Sequence, residues 1–115
     1  MKKNLEKGRL GENIASAYLK ARGYRILETN YRHRRSEIDI IALHQAVLVF
    51  VEVKTRTSFQ YGYPEAAVDN HKIEMITAVA DHYIDRISWD KGIRFDIIAI
   101  LLREPPEIEH LQDAF

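Results

Sequence analysis

The 115-residue chain contains no cysteine, which removes disulfide scaffolds, thiolate metal sites and cysteine nucleophiles together. It also lacks any apolar run near the roughly 18 residues that a membrane span requires, and its opening, MKKNLEKGRL, has no apolar stretch of the signal-peptide kind. No Gly/Ser-rich linker, low-complexity tract or internal repeat breaks the sequence, so a single domain over residues 1–115 is the expectation. Net charge is missing as well, 17 basic residues balancing 17 acidic ones. What remains is 46% hydrophobic and 30% charged, ordinary globular proportions that exclude a fibre or a disordered tail. The composition reads as a cytoplasmic protein with no membrane contact.

The charge balance is not local. Residues 1–35 hold ten Lys and Arg against three Glu, whereas the remaining eighty hold seven against fourteen acids. Such a division marks either a polyanion-facing surface or an incidental asymmetry of solvated faces.

Hydrophobic periodicity gives the element order. Leu10, Ile14, Ala17 and Ala21 recur at helical spacing, predicting a helix over residues 9–22 with Gly23 as its stop. Strands are predicted over Tyr24–Arg32, Ser36–Leu43 and Val47–Lys54, the first weakened by Asn30. Only His44, Gln45 and Ala46 separate the second from the third, which makes them an antiparallel hairpin. Thr55–Pro64 reads as a loop, and Asp69 as the N-cap of a second helix over Asn70–Ile87. Residues 93–102, nearly all apolar, suit a strand covered on both faces, and Ile108–Leu111 a short last strand. The prediction is an α/β fold of order αβββαβ, a mixed central sheet flanked by helices.

Charge inside the apolar hairpin is the informative feature. Along VLVFVEVKTR, Glu52 and Lys54 face one side and Val51 and Val53 the other, and five apolar residues precede the first charge. Asp39 is equally out of place between Ile38 and Ile40. Counting back from a turn at His44–Gln45 puts Asp39 near Val51–Val53, so Asp39, Glu52 and Lys54 converge within roughly 5–8 Å. Two carboxylates and a nearby backbone carbonyl, that of Val53, suit Mg²⁺, with Mn²⁺ as its substitute. The histidines lack zinc-motif spacing. A lysine beside the metal can orient or deprotonate a water, and the ion and lysine together would stabilise charge on a phosphate oxygen during phosphodiester hydrolysis. The competing interpretation is an ion pair, Lys54 neutralising Glu52 and Asp39 with no catalysis.

D-x(n)-E-x-K on a β-hairpin resembles the signature of the PD-(D/E)XK, or restriction-endonuclease-like, nuclease superfamily. More narrowly, the words KGRLGENIASAYLKARGYRIL, NYR, EIDIIA, VFVEVKTRTS, YGYPEAAV, HK and RFDIIAI, running in order from Gly8 to about Ile100, resemble the YraN-like family of small uncharacterised bacterial proteins. The resemblance implies a restriction-endonuclease-like αβββαβ core and a Mg²⁺-dependent site, with no known substrate. It assigns Asp39 and Glu52 as metal-binding carboxylates, Lys54 as the catalytic lysine and Glu12 as the helix-borne acid of resolvase-like and RecB-like nucleases. The motif's proline is absent, Ile38 standing before Asp39.

Glu12 has a reading of its own. Gly8 and Gly11 would let the first helix approach the sheet and bring Glu12 to the metal, or Glu12 is an exposed glutamate favoured by the helix dipole. Glu37 shares a face with Asp39, either as an acid behind the metal ligands or as a solvated side chain. Arg56 and Thr57 directly follow the lysine, placed either to touch a phosphate or simply at the surface, and Lys72 lies in the first turn of the second helix, whose N-terminus attracts phosphate. Arg25, Arg32, Arg34 and Arg35 form a candidate backbone-tracking patch, Tyr61, Tyr63 and Phe59 stack on bases or simply pack, and Asp96 pairs with Arg94 or Arg56. His71 is a proton shuttle or a surface residue.

The expected activity is Mg²⁺-dependent cleavage of DNA, structure-directed because so small a domain offers little surface for reading sequence, by a chain that pairs as a homodimer. The alternative is a non-catalytic nucleic-acid-binding module of the same fold, serving repair, recombination or uptake.

Overall fold

The computed structural model describes residues 2–57 and 69–115, with side chains from residue 6 onward. Tyr61, Tyr63 and Phe59 lie outside the described residues. The order is α1 (Lys2–Ala21), β1 (Arg25–His33), β2 (Ser36–His44), β3 (Val47–Arg56), α2 (Asn70–Ile87), β4 (Gly92–Leu101) and β5 (Glu107–Leu111). The strands form one mixed sheet in chain order, β1-β2-β3-β4-β5. Only β3 and β4 run parallel, and α2 is the crossover that a parallel pair requires. No helix of the described residues is long and apolar enough to cross a membrane.

Alternation along the central strands explains why both faces are covered. Val49 and Val51 of β3 join Ile40, Ala42, Ile98 and Ile100 against Ala15 and Leu19 of α1. Leu48 and Phe50 join Ile41 against Ile76, Val79, Ala80 and Tyr83 of α2. The sheet is therefore the middle of three layers. Burying a side chain such as Phe50 or Leu19, which are 1% and 0% exposed, contributes about 1.5–3 kcal/mol each relative to solvent exposure.

Two helix features fix how the site is framed. Asp69 caps α2, its Oδ1 accepting the Lys72 N–H at 2.8 Å. α1 crosses β3 at Gly11, where an added Cβ would stand only 1.9 Å from Thr55 Oγ1. Gly8 plays no such part, since a Cβ there would meet nothing within 4 Å. Thr55 and Arg56 belong to β3, two residues past the predicted strand end, because buried Thr55 packs under that helix crossing. α1 likewise starts earlier than its apolar stripe suggests.

Candidate metal centre at the fork of β2 and β3

The β2–β3 ladder runs from His44 opposite Val47 to Ile40 opposite Val51 and stops there. Ile38 and Ile41, three residues apart, both pack on the α2 face while Ile40 packs on the α1 face. Strict alternation would give Ile38 and Ile40 the same side, so β2 slips at Asp39. The Asp39 side chain turns toward β3, and its Oδ2 accepts the Val53 N–H at 2.7 Å. A carboxylate thus takes the place of a ladder carbonyl just where the strands separate.

Glu52 stands beside it, 8% exposed. Burial pushes the Asp39 carboxyl up to about 8, the negative charge of Glu52 adds to the effect, and the Val53 N–H only partly opposes it. Lys54 is half-buried, and burial holds its ammonium below the ordinary lysine value. Glu52 and Asp39 act on it in the opposite sense, and Lys72 and Arg56 reinforce the lowering. Among the described residues the cation in contact with Glu52 is not Lys54 but Lys72, whose Nζ lies 3.6 Å from Glu52 Oε2.

Two hollows meet at the carboxylate pair, and Asp39 and Glu52 line both. One, about 230 Å³, opens toward α2 between Arg35, Glu37, Lys72 and Met75. The other, about 410 Å³, opens toward α1 between Lys7, Glu12, Val53, Thr55 and Arg56. Glu12 is therefore brought to the rim of the site by the close approach at Gly11. Its Oε1 accepts a hydrogen bond from Asn30 Nδ2 at 2.9 Å, and the same amide reaches Glu37 Oε1 at 3.3 Å. Among the described residues no three His, Cys, Asp or Glu side chains group closely enough to hold a metal ion unaided. Asp39 and Glu52 are a pair, with Glu12 set back from them.

The donor set still suits a hard divalent ion. Two carboxylates pressed together against their own repulsion offer oxygen ligands only, and a Lys72 ammonium already stands against one of them, so positive charge is accommodated at this point. Val53 lines the same hollow.

The remaining candidates divide by position. Arg34 and Arg35 form the tight β1–β2 turn, Arg34 with φ of 59°, and Arg32 beside it pairs with Glu37 at 3.3 Å. Arg25 begins β1 opposite Leu43, about 23 Å along the strand from Arg32, and so stands apart from the other three. Arg56 lines the α1-side hollow, and Thr57 follows it, exposed, at the end of β3. His71 is exposed in the first turn of α2. Asp96 pairs with Arg94, not Arg56.

Asn30 is the site residue that sequence reasoning passed over. It adopts a φ of 50° within β1, and the register of its neighbours sets it across from Asp39. The available signal was a residue poorly suited to strands, yet tolerant of positive φ, in the middle of one.

A mixed sheet between two helices, with Asp39, Glu52 and Lys54 at a strand fork, defines an α/β protein consistent with a restriction-endonuclease-like core. The model of uncharacterised protein family UPF0102 matches residues 11–100, a stretch containing Glu12, Asp39, Glu52, Lys54 and Lys72. A UPF0102 protein of Syntrophus aciditrophicus is 47% identical over 117 residues, covering 100% of this chain and 92% of its own. Another, from Christiangramia forsetii, is 40% identical over 116 residues, covering 100% and 98%. A third, from Chlorobium phaeobacteroides, is 45% identical over 113 residues, covering 91% and 89%. The chain belongs to the UPF0102 family, the YraN-like proteins its sequence resembles.

Proposed function

We propose that this chain is a divalent-metal-dependent nuclease that hydrolyses phosphodiester bonds in DNA. The observation that carries the reading is the juxtaposition of Asp39 and Glu52 at the β2–β3 fork, with Lys54 two residues further along the same strand. In this reading the two carboxylates, the Val53 carbonyl and water hold Mg²⁺ or Mn²⁺. When bound, the ion supplies Lewis-acid stabilisation at a phosphate oxygen and a more acidic water.

The chain's own residues do the rest. Lys54, its ammonium held below the ordinary value, orients the attacking water or takes its proton. Glu12, fixed by Asn30, faces the α1-side hollow that Asp39 and Glu52 also line and orders water at its rim. Arg35 and Lys72 on one side, Lys7 and Arg56 on the other, flank the carboxylates with positive charge along which a phosphate backbone can lie. Arg32, Arg34 and Thr57 extend that track. Cutting both strands of a duplex calls for two copies, and a symmetric dimer is the simplest arrangement.

The test is purified protein with Mg²⁺ or Mn²⁺ on single-stranded, duplex, flapped and junction DNA. Cleavage that falls by about 10²–10³-fold in Lys54→Ala is the expected result. All four substrates left intact, or cleavage by Lys54→Ala equal to the parent's, would overturn the reading. Retention of DNA without cleavage would favour a non-catalytic binding module instead.

A further inference from the structure

Two ammonium groups attend one carboxylate pair at the fork. Lys54 follows Glu52 on β3, and Lys72 reaches Glu52 Oε2 from the first turn of α2 at 3.6 Å. Lys72 stands close enough to Lys54 to disfavour the charge on Lys54. Their placements differ. Lys54 sits on a central strand with its backbone tied in the ladder, whereas the Lys72 side chain is 43% exposed and leans in from a helix end.

We propose that Lys72 is a built-in placeholder: it neutralises Glu52 while the protein is metal-free and yields that contact when a divalent ion binds. The inference rests on the nuclease reading and deepens it. A divalent ion held by both carboxylates balances the pair by itself. An ammonium kept against Glu52 is then excess positive charge, so the long, partly exposed Lys72 chain swings off Glu52. The displaced ammonium still lines the α2-side hollow next to Arg35, where a bridging phosphate relieves the excess charge. Lys72 is thus a positioning residue whose contact changes with metal occupancy, coupling ion binding to capture of a phosphodiester.

Calorimetric titration with Mn²⁺ of the parent, Lys72→Met and Lys72→Arg tests this. Removing the competing charge should tighten Mn²⁺ binding in Lys72→Met by roughly three- to tenfold, while Lys72→Arg stays near the parent. In the parent, the Lys72 ammonium protons should exchange faster with solvent on addition of diamagnetic Mg²⁺ as the contact with Glu52 opens. Shifted resonances with unchanged exchange would show a lysine that stays in place and would overturn the placeholder. A parent that binds Mn²⁺ with the same affinity as Lys72→Met, or more tightly, overturns the placeholder and leaves the metal site standing. A parent and both variants that take up no ion overturn the metal site itself and the placeholder with it.

Discussion

Two aspartates lie within the strands of this sheet, one buried and one half-buried, and their surroundings are opposites. Asp96, on β4, is 0% exposed and surrounded by donors. Arg94 Nε donates to its Oδ1 at 2.8 Å and Arg94 Nη2 to Oδ2 at 2.9 Å, His110 Nε2 reaches Oδ2 at 2.7 Å, and the Asp113 N–H donates to Oδ1 at 3.0 Å. Burial would raise its pKa, but these hydrogen bonds outweigh burial and hold the carboxyl below its ordinary value. Asp39, at the β2–β3 fork, has among the described residues one backbone N–H and a second carboxylate for company, and is pushed up to about 8. One carboxylate is bound into the fold, and the other is stored in it at a cost. Burial of a carboxylate is therefore no mark of a binding site by itself, since donors can answer it fully, as they do at Asp96.

The contrast can be broken most forcefully at Asp96. Asp96→Ala leaves Arg94 and His110 without their shared acceptor and should lower stability by about 3–5 kcal/mol, read by chemical denaturation. The loss should depend on pH in a defined sense. A carboxyl whose folded pKa lies below its unfolded 3.8 stabilises the protein above pH 3.8 and loses that contribution as pH falls through the lower folded value. Parent and variant should therefore converge only in strong acid.

Gly11→Ala comes next. Its Cβ would collide with Thr55 Oγ1, so α1 must shift, at about 1–3 kcal/mol. Combining it with Thr55→Ala should recover much of the loss, and a strictly additive double mutant would show that this crossing is not the constraint.

Asp39→Asn should have the opposite sign to the Asp96 change. The folded pKa of Asp39 is raised, so between pH 3.8 and about 8 the unfolded chain binds fewer protons and stability declines with rising pH. Removing the titration should raise stability by about 0.5–2 kcal/mol at pH 8 and by little near pH 4, with thermal melts as the measure. An Asp39→Asn protein less stable than the parent at pH 8 would erase the contrast. The smallest effect is expected at Arg32→Ala, where an exposed pair with Glu37 is lost: under about 0.5 kcal/mol in stability. If the hairpin tip tracks phosphate, DNA affinity in that variant should fall alike for all sequences and its salt slope shrink by about 1.

Much of the fold was legible because its central strands are Ile- and Val-rich and its second helix carries an explicit cap. Asp39, Glu52 and Lys54 stood out for the same reason, as charges in an apolar background. What stayed hidden depends on contacts between distant segments. Nothing local predicts that Lys72 will stand against Glu52, twenty positions earlier and on another element. The slip in β2 that turns Asp39 toward β3 shows only once Ile38 and Ile41 are seen on one face, since period-two reasoning assumes an unbroken pleat. Asn30 read as a weakness in β1 and is a bridge between Glu12 and Glu37. Of the two glycines in α1, only the one that meets Thr55 matters to packing, and no feature of the helix alone separates them.

Because the Val53 amide donates straight to Asp39 Oδ2, a single backbone proton reports on whatever that oxygen carries. A proton, a bound ion or a bare carboxylate would each give its nitrogen and hydrogen a different chemical shift. Occupancy at the fork can thus be followed by NMR on the unmodified chain, before any substrate is known.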